Sequence, residues 1–326
     1  MDRRTFAALG SAALAAPLTL FAQPPNRRYR VAILDEVDEN TLQEIWAAFR
    51  NRLRELGYVE GKNVAFEVRH ALGATERLPA LAAELVALNP DLIACSGTPP
   101  TRAASRATSS IPVVFVSAGD PVATGLVASL ARPGRNVTGI SSVTTETGQK
   151  TLELIRELSP GAQRIAYLTD TANPGASALF SRLEEHARGL KLAIRMLDGA
   201  GRKALDQAFE TIRRERIQAF LVGASTTLLD YRDEIVRFAA REKLPVVYGR
   251  VEYAPVGGLL SYGADRTIAA RRGADLVHRI LGGAKPADLP VEQISNLKMV
   301  LNLKTARALG IAIPGTVRLR ADEVIE

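Results

Sequence analysis

Small, hydroxyl-bearing and acidic residues gather in this chain at the ends of apolar runs. The corners are Asp35-Glu36, Ser96-Gly97-Thr98, Ser117-Ala118-Gly119-Asp120, Ser141-Ser142, Asp170-Thr171, Gly223-Ala224-Ser225-Thr226 and Tyr248-Gly249-Arg250. Small residues let backbone come close to a ligand, and hydroxyls both donate and accept hydrogen bonds. In DLIACSGTPPT (91–101) a helix start is expected at Thr98, and a second one after Asp120; their first-turn N–H groups would suit a carboxylate or phosphate. Taken singly, each corner is better read as a turn or a cap, and Asp120-Pro121 reads equally well as N-cap plus first-turn proline. The functional reading rests on their recurrence in both halves of the chain.

Reactive constellations are missing. His70 lies at the end of a strand pattern, while His186 and His278 fall in helical patterns, so no histidine stands at a corner. The chain contains no G-x-S-x-G, no Walker-type loop and no His/Cys metal spacing, and ALGATE (71–76) lacks the three-glycine dinucleotide fingerprint. The adjacent carboxylates Asp35-Glu36 read as a solvated loop pair rather than a catalytic one. Binding without chemistry follows, with no enzyme activity, no cofactor and no metal expected.

The elements that must hold these corners alternate between strand and helix. RVAILDE (30–36) precedes a helix whose Leu42, Ile45, Trp46, Phe49 and Leu53 recur at three and four residues, placing Trp46 in a core face. VAFEVRH (64–70), DLIACSG, PVVFVSA (112–118) and VTGISS (137–142) complete a first set of strands. RIAYLTD (164–170), KLAIRMLD (191–198), AFLVGAS (219–225), PVVYGR (245–250) and GLLSYGAD (258–265) form a second. Most are continuously apolar, as parallel strands covered on both faces are. The predicted fold is α/β: two doubly wound parallel-sheet lobes joined by a hinge of crossover segments. The tail holds one more amphipathic helix (264–283), the Pro-rich link AKPADLPVEQ, and the strand and helix of KMVLNLKTARALG. Lobe 1 is therefore expected to take 29–142 plus about 266–290, and lobe 2 to take 143–265 plus about 291–326. Ligands bind beyond the carboxyl ends of such strands, where the corners lie.

Composition narrows the setting. The 326 residues carry a net charge of +7, but Arg213-Arg214-Glu215-Arg216 and similar clusters interleave with acids on helical patterns. That is a solvated face, and no nucleic-acid partner is expected. Residues 1–22, MDRRTFAALGSAALAAPLTLFA, have the charged start, apolar middle and small final residue of an export signal, with Leu20 in place of the usual small residue at −3. Arg3-Arg4-Thr5-Phe6 also fits twin-arginine export. The only cysteine, Cys95, sits in an apolar run, so neither a disulfide nor a lipid anchor is expected. An exported chain without an anchor points to a Gram-negative periplasm, and no stretch of the body is apolar for long enough to be membrane-embedded.

Five stretches carry a resemblance: RELGYVEGKNVAFEVR, LPALAAELVALNPDLIACSGTPPTRAA, IPVVFVSAGDPVATGLVASLARPGRNVTGIS, GGLLSYGADRTIAARRGADLVHRILGGAKPADLPVEQ and LNLKTARALGIAIPGTVRLRADEVIE. In order and spacing they resemble the ABC-transporter substrate-binding proteins of the tryptophan/tyrosine-binder type, a branch of type I periplasmic binding proteins. The resemblance implies a ligand cleft between the lobes, lined by Ser96, Gly97, Thr98, Gly119, Asp120, Ser142, Thr171, Ser225 and Thr226. Tyr248, with Tyr253 and Tyr262, is a candidate aromatic platform. The first loop, DEVDENTLQEIW, departs from the family in its acidity, and Trp46 in its size. The implied role is a monomeric receptor for a small carboxylate-bearing solute, delivering it to an ABC permease and its ATPase subunits. A periplasmic sensor partner shares the fold and would be told apart by gene neighbours. An exported α/β enzyme would need a base in the cleft.

Overall fold

The computed structural model describes residues 27–142, 145–173 and 175–326. The expected export signal at 1–22 lies outside the described residues. The chain runs β1 (Tyr29–Asp35), α1 (Gln43–Glu55), β2 (Val64–His70), α2 (Leu78–Ala87), β3 (Leu92–Ser96), α3 (Thr98–Ala107), β4 (Val113–Ala118) and β5 (Val137–Ser142). It continues through α4 (Thr145–Leu158), β6 (Arg164–Thr169), α5 (Ala176–Gly189), β7 (Ala193–Asp198), α6 (Arg202–Arg214), β8 (Ala219–Val222), α7 (Arg232–Arg241), β9 (Val246–Tyr248) and β10 (Leu260–Ala264). The remainder is α8 (Arg266–Leu281), β11 (Glu292–Ile294), β12 (Leu297–Asn302), α9 (Leu303–Leu309), α10 (Gly315–Arg320) and β13 (Glu323–Ile325).

Two sheets result, in the orders β11-β5-β4-β3-β1-β2 and β13-β12-β10-β9-β8-β6-β7. These are the two α/β lobes the sequence predicts. Parallel pairing dominates both, and β3, β4 and β8 are buried along their whole length, which is why their sequences do not alternate. The second sheet is not uniformly parallel. β12 pairs antiparallel with β10, because the chain returns from β11 through two residues, too few for the crossover a parallel neighbour needs.

The chain passes between the sheets three times: after Ser142, after Ala264 and after Ile294. β11 was not foreseen. It pairs with β5 in the first sheet, inside the stretch from about residue 291 that the sequence reading gave to lobe 2. Asp265 caps α8, its Oδ1 accepting from the amides of Thr267 (3.0 Å) and Ile268 (3.4 Å). The helix then lies across α1 and β4 through Ala269, Ala270, Gly273 and Ala274. A Cβ at Gly273 would sit 2.8 Å from Val116 Cγ1, so the helix can approach the sheet this closely only with glycine there. Trp46 is buried in the first-lobe core, edge-on to Phe49, as its helical spacing predicts. No helix among the described residues is long and apolar enough to cross a membrane.

Candidate functional site

A cavity opens between the lobes at the carboxyl ends of both sets of strands, with about 870 Å³ of atom-free space that includes open solvent. From the first lobe it takes Glu36, Gly97, Thr98, Ser117, Gly119, Asp120 and Ser142. From the second come Tyr167, Thr169, Asn173, Arg182, Ser225, Thr226 and Arg250. Seven of the ten predicted site residues are thus brought together here: Gly97, Thr98, Gly119, Asp120, Ser142, Ser225 and Thr226.

Three are not. Ser96 ends β3 facing inward, fully buried, and its Oγ accepts from Arg266 Nη2 at 2.5 Å. Thr171 is exposed beyond β6, where its amide donates to Asp198 Oδ1 (3.2 Å) toward the outer strand β7. Tyr248 belongs to the core: its ring stacks on Tyr253 at 4.5 Å between centroids, and both are buried. Tyr262 packs against the second-lobe core. The aromatic ring at the cavity is instead Tyr167, on β6, which the sequence reading passed over.

The donors also differ from expectation. α3 does begin at Thr98, with Gly97 before it at φ +104°, but Pro99 and Pro100 carry no N–H. Two donors of the first turn are therefore missing, a fact already present in TPP. Residues 121–125 form a turn rather than a helix. The amides of Val122 (3.2 Å) and Ala123 (2.9 Å) are taken by Asp120 Oδ1. The two expected helix starts thus offer the cavity few free amides.

Side chains add polarity. Asp35 and Glu36, read as a solvated pair, are both buried. Trp46 Nε1 donates to Asp35 Oδ2 at 2.6 Å, so the indole that fills the core also fixes the first carboxylate. Burial pushes the Asp35 carboxyl up to about 7, against the Trp46 bond that favours its ionised form. Glu36 is pushed up to about 8, first by burial and then by Asp35 and Asp170, with Arg250 and the Thr226 hydroxyl opposing. Arg250 donates to the Ser225 carbonyl (3.1 Å) and to Thr226 Oγ1 (2.7 Å), and Thr226 in turn hydrogen-bonds Glu36. Burial and the neighbouring Arg266 lower the Arg250 guanidinium to about 10. Glu36 Oε2 is buried with no hydrogen-bond partner. A buried carboxyl oxygen left unmated costs on the order of 1–3 kcal/mol, and the residue that bears it lines the cavity.

The lobes touch around this chain of contacts. A Cβ at Gly97 would lie 3.4 Å from Glu36 Oε1 and 3.6 Å from Thr226 Oγ1. Thr41 Oγ1 donates across the lobes to Asp230 Oδ1 at 2.8 Å. His70 and His278 spend their Nδ1 atoms on the Val37 carbonyl and the Tyr58 hydroxyl, and no histidine lines the cavity. Among the described residues no group of three or more His, Cys, Asp or Glu side chains could hold a metal ion.

Comparisons with known proteins place this geometry. A family model described as "ABC transporter substrate binding protein" matches residues 30–325. The "Tyrosine-binding protein" of Clostridioides difficile (strain R20291) is 24% identical over 298 residues, covering 91% of this chain and 84% of that protein. The ABC domain from Streptococcus pneumonia solved with L-Trp superposes with a TM-score of 0.85 at 27% identity, covering 91% of this chain and 100% of that one. A conserved domain protein from Vibrio cholerae gives 0.86 at 28% identity, with the same coverage.

Proposed function

This chain belongs to the ABC transporter substrate binding proteins, and we propose that it captures a free amino acid between its lobes and presents it to a membrane permease. The family and the neighbours are solute-binding proteins, so no turnover is required of the site. The observation that carries the choice of ligand is the unmated Oε2 of Glu36, on the first-lobe side of the cavity, with Arg250 contributed by the second lobe. A zwitterion matches it: the ammonium goes to Glu36, and the carboxylate goes to the Arg250 side with the hydroxyls of Thr98, Ser142 and Ser225. The names of two relatives, one binding tyrosine and one solved with L-Trp, favour an aromatic amino acid.

Closure is productive only if the ligand binds the closed arrangement better than the open one. Glu36 and Gly97 lie in the first lobe, while Thr226 and Arg250 lie in the second, so a ligand spanning them gains its full contacts only when the lobes meet. Export to the periplasm by residues 1–22, and a permease with ATPase subunits as partner, belong to the same proposal. The chain acts as a monomer, with no nucleic-acid partner.

A thermal-shift screen of the purified protein against the twenty amino acids, aromatic acids and small carboxylates tests this reading. A ligand present at 1,000 times its Kd should stabilise the fold by about 4 kcal/mol. Failure of every amino acid to shift the melt would refute it. Thr98→Ala should weaken binding roughly tenfold, the worth of one hydrogen bond to a charged group, with the melting temperature unchanged. A variant that loses stability along with binding would assign Thr98 to helix packing instead.

A further inference from the structure

Apolar surface also lies outside the ligand cavity, on α2. The helix LPALAAELVA turns Leu78, Leu81, Ala82 and Leu85 into the first-lobe core. Its other face is apolar as well: Pro79, Ala83 and Ala87 are exposed and Val86 is half-buried. Its one charge, Glu84, is taken by Arg69 of β2 at 3.0 Å. A helix that is apolar all round is normally covered all round, and this one is covered on one side. The bare side forms one wall of a groove against α3, with about 1200 Å³ of atom-free space that includes open solvent.

α3 supplies the opposite wall and two cations, Arg102 and Arg106, one helical turn apart. Among the described residues neither has an acidic partner; Arg102 Nη2 donates to the Thr124 carbonyl (2.9 Å). Burial, and then Arg106, hold the Arg102 guanidinium below its ordinary value. A third side of the groove comes from the other lobe, through Asp170 and Ala172 beyond β6. The Asp170 carboxyl is already engaged, accepting from the Thr227 hydroxyl (3.2 Å) and the Ala172 amide (3.0 Å). Pro99 lines both this groove and the ligand cavity, so parting of the lobes would dismantle the one as it opens the other.

We infer that this groove docks an acidic, apolar-faced segment of the membrane permease, its carboxylates pairing with Arg102 and Arg106. The inference rests on the reading of the chain as a transport receptor. Apolar walls flanked by two guanidinium groups without counter-charges call for a partner that carries apolar side chains and negative charge. A two-fold contact with a second copy would press the patch against itself and gather four guanidinium groups with no counter-charge. Because both lobes build the groove, it also reports that they have met. A permease that takes only loaded receptors needs such a feature, present in the closed arrangement and lost in the open one.

The test is ATP hydrolysis by the cognate permease and its ATPase subunits, reconstituted in phosphatidylcholine vesicles and titrated with the receptor loaded with the amino acid that shifts its melt. Arg106→Glu and Ala83→Glu should each raise the receptor concentration for half-maximal stimulation at least about tenfold. Amino-acid affinity by calorimetry should not change, since neither residue touches the ligand cavity. Arg188→Glu, the same charge change on exposed α5 of the second lobe, should stay within about twofold of the original. Stimulation unaltered by both groove variants would overturn the inference, and so would an equal loss in Arg188→Glu, which would assign the effect to net charge. A photo-reactive benzophenone in place of Ala83 should cross-link to a permease subunit in the same vesicles; cross-linking only to lipid or to a second copy would give the groove to that occupant instead. If the loaded, unaltered receptor does not stimulate at all, the transport reading falls first and this docking site with it. Should Arg106→Glu fail to fold by circular dichroism, Arg106→Gln, which removes only the charge, should still raise the half-maximal concentration about threefold.

Discussion

Glu36→Gln should reduce amino-acid affinity by about 100-fold while leaving the fold intact. The reduction follows from Glu36, which lines the cavity with its Oε2 buried and unpartnered, and which becomes the counter-charge of an ammonium group once its proton is displaced. Removing one partner of a buried, hydrogen-bonded charge pair costs on the order of 2–5 kcal/mol, and glutamine keeps the shape while losing the charge. The unliganded protein should not be destabilised, because the ionised carboxylate is disfavoured there by burial and by Asp35. Its melting temperature at pH 8 should hold or rise. Calorimetry gives the affinity and differential scanning the stability. Unchanged affinity for every amino acid would remove Glu36 from the site.

Affinity should also climb with pH, by up to about tenfold per unit between pH 6 and 8, and level off above that. In the unliganded cavity the Glu36 carboxyl is pushed up to about 8, so near neutrality it holds a proton that an incoming ammonium must displace. Binding therefore releases a proton below pH 8, and linkage makes it tighter as protons become scarce. Asp35, Asp170 and Arg250 face the same group; the two carboxylates raise it and the guanidinium lowers it. Stability of the unliganded protein runs the other way. The folded carboxyl lies above its ordinary 4.5, so the contribution is complete at low pH and is lost as pH rises through about 8. Titrations at pH 6, 7 and 8 on the original protein and on Glu36→Gln separate this from general pH effects, since the variant should show no slope. A fall in affinity with rising pH would reverse the sign and exclude an ammonium at Glu36.

Both expectations depend on a group that the sequence marks only ambiguously. Asp35-Glu36 reads as a solvated acidic pair because charge is the one property visible in the letters, and adjacent carboxylates are cheapest in water. Their burial comes from Trp46, eleven residues on from Asp35, and from Thr226 and Arg250, about two hundred residues away on the other lobe. A similar limit explains Ser96 and Tyr248. A corner after a strand is legible, but successive residues at a strand end face opposite sides. Ser96 turned to Arg266 while Gly97 and Thr98 turned to the cavity. The prolines of TPP show the reverse case: the missing amides of α3 were written in the chain and needed only the rule that proline has no N–H.

What the sequence by itself determined is the alternation of apolar strand and amphipathic helix, the division into two parallel-sheet lobes, and the family. Those features arise from near neighbours along the chain, through side-chain periodicity and turn residues, and each leaves a local trace. The tertiary structure alone decided which hydroxyls share a cavity, that two carboxyl groups are dry, and that Tyr167 is the ring at the cavity. These are properties of contact between lobes whose residues are far apart in the chain. Desolvation depends on everything packed around a group, so no short stretch of sequence encodes it.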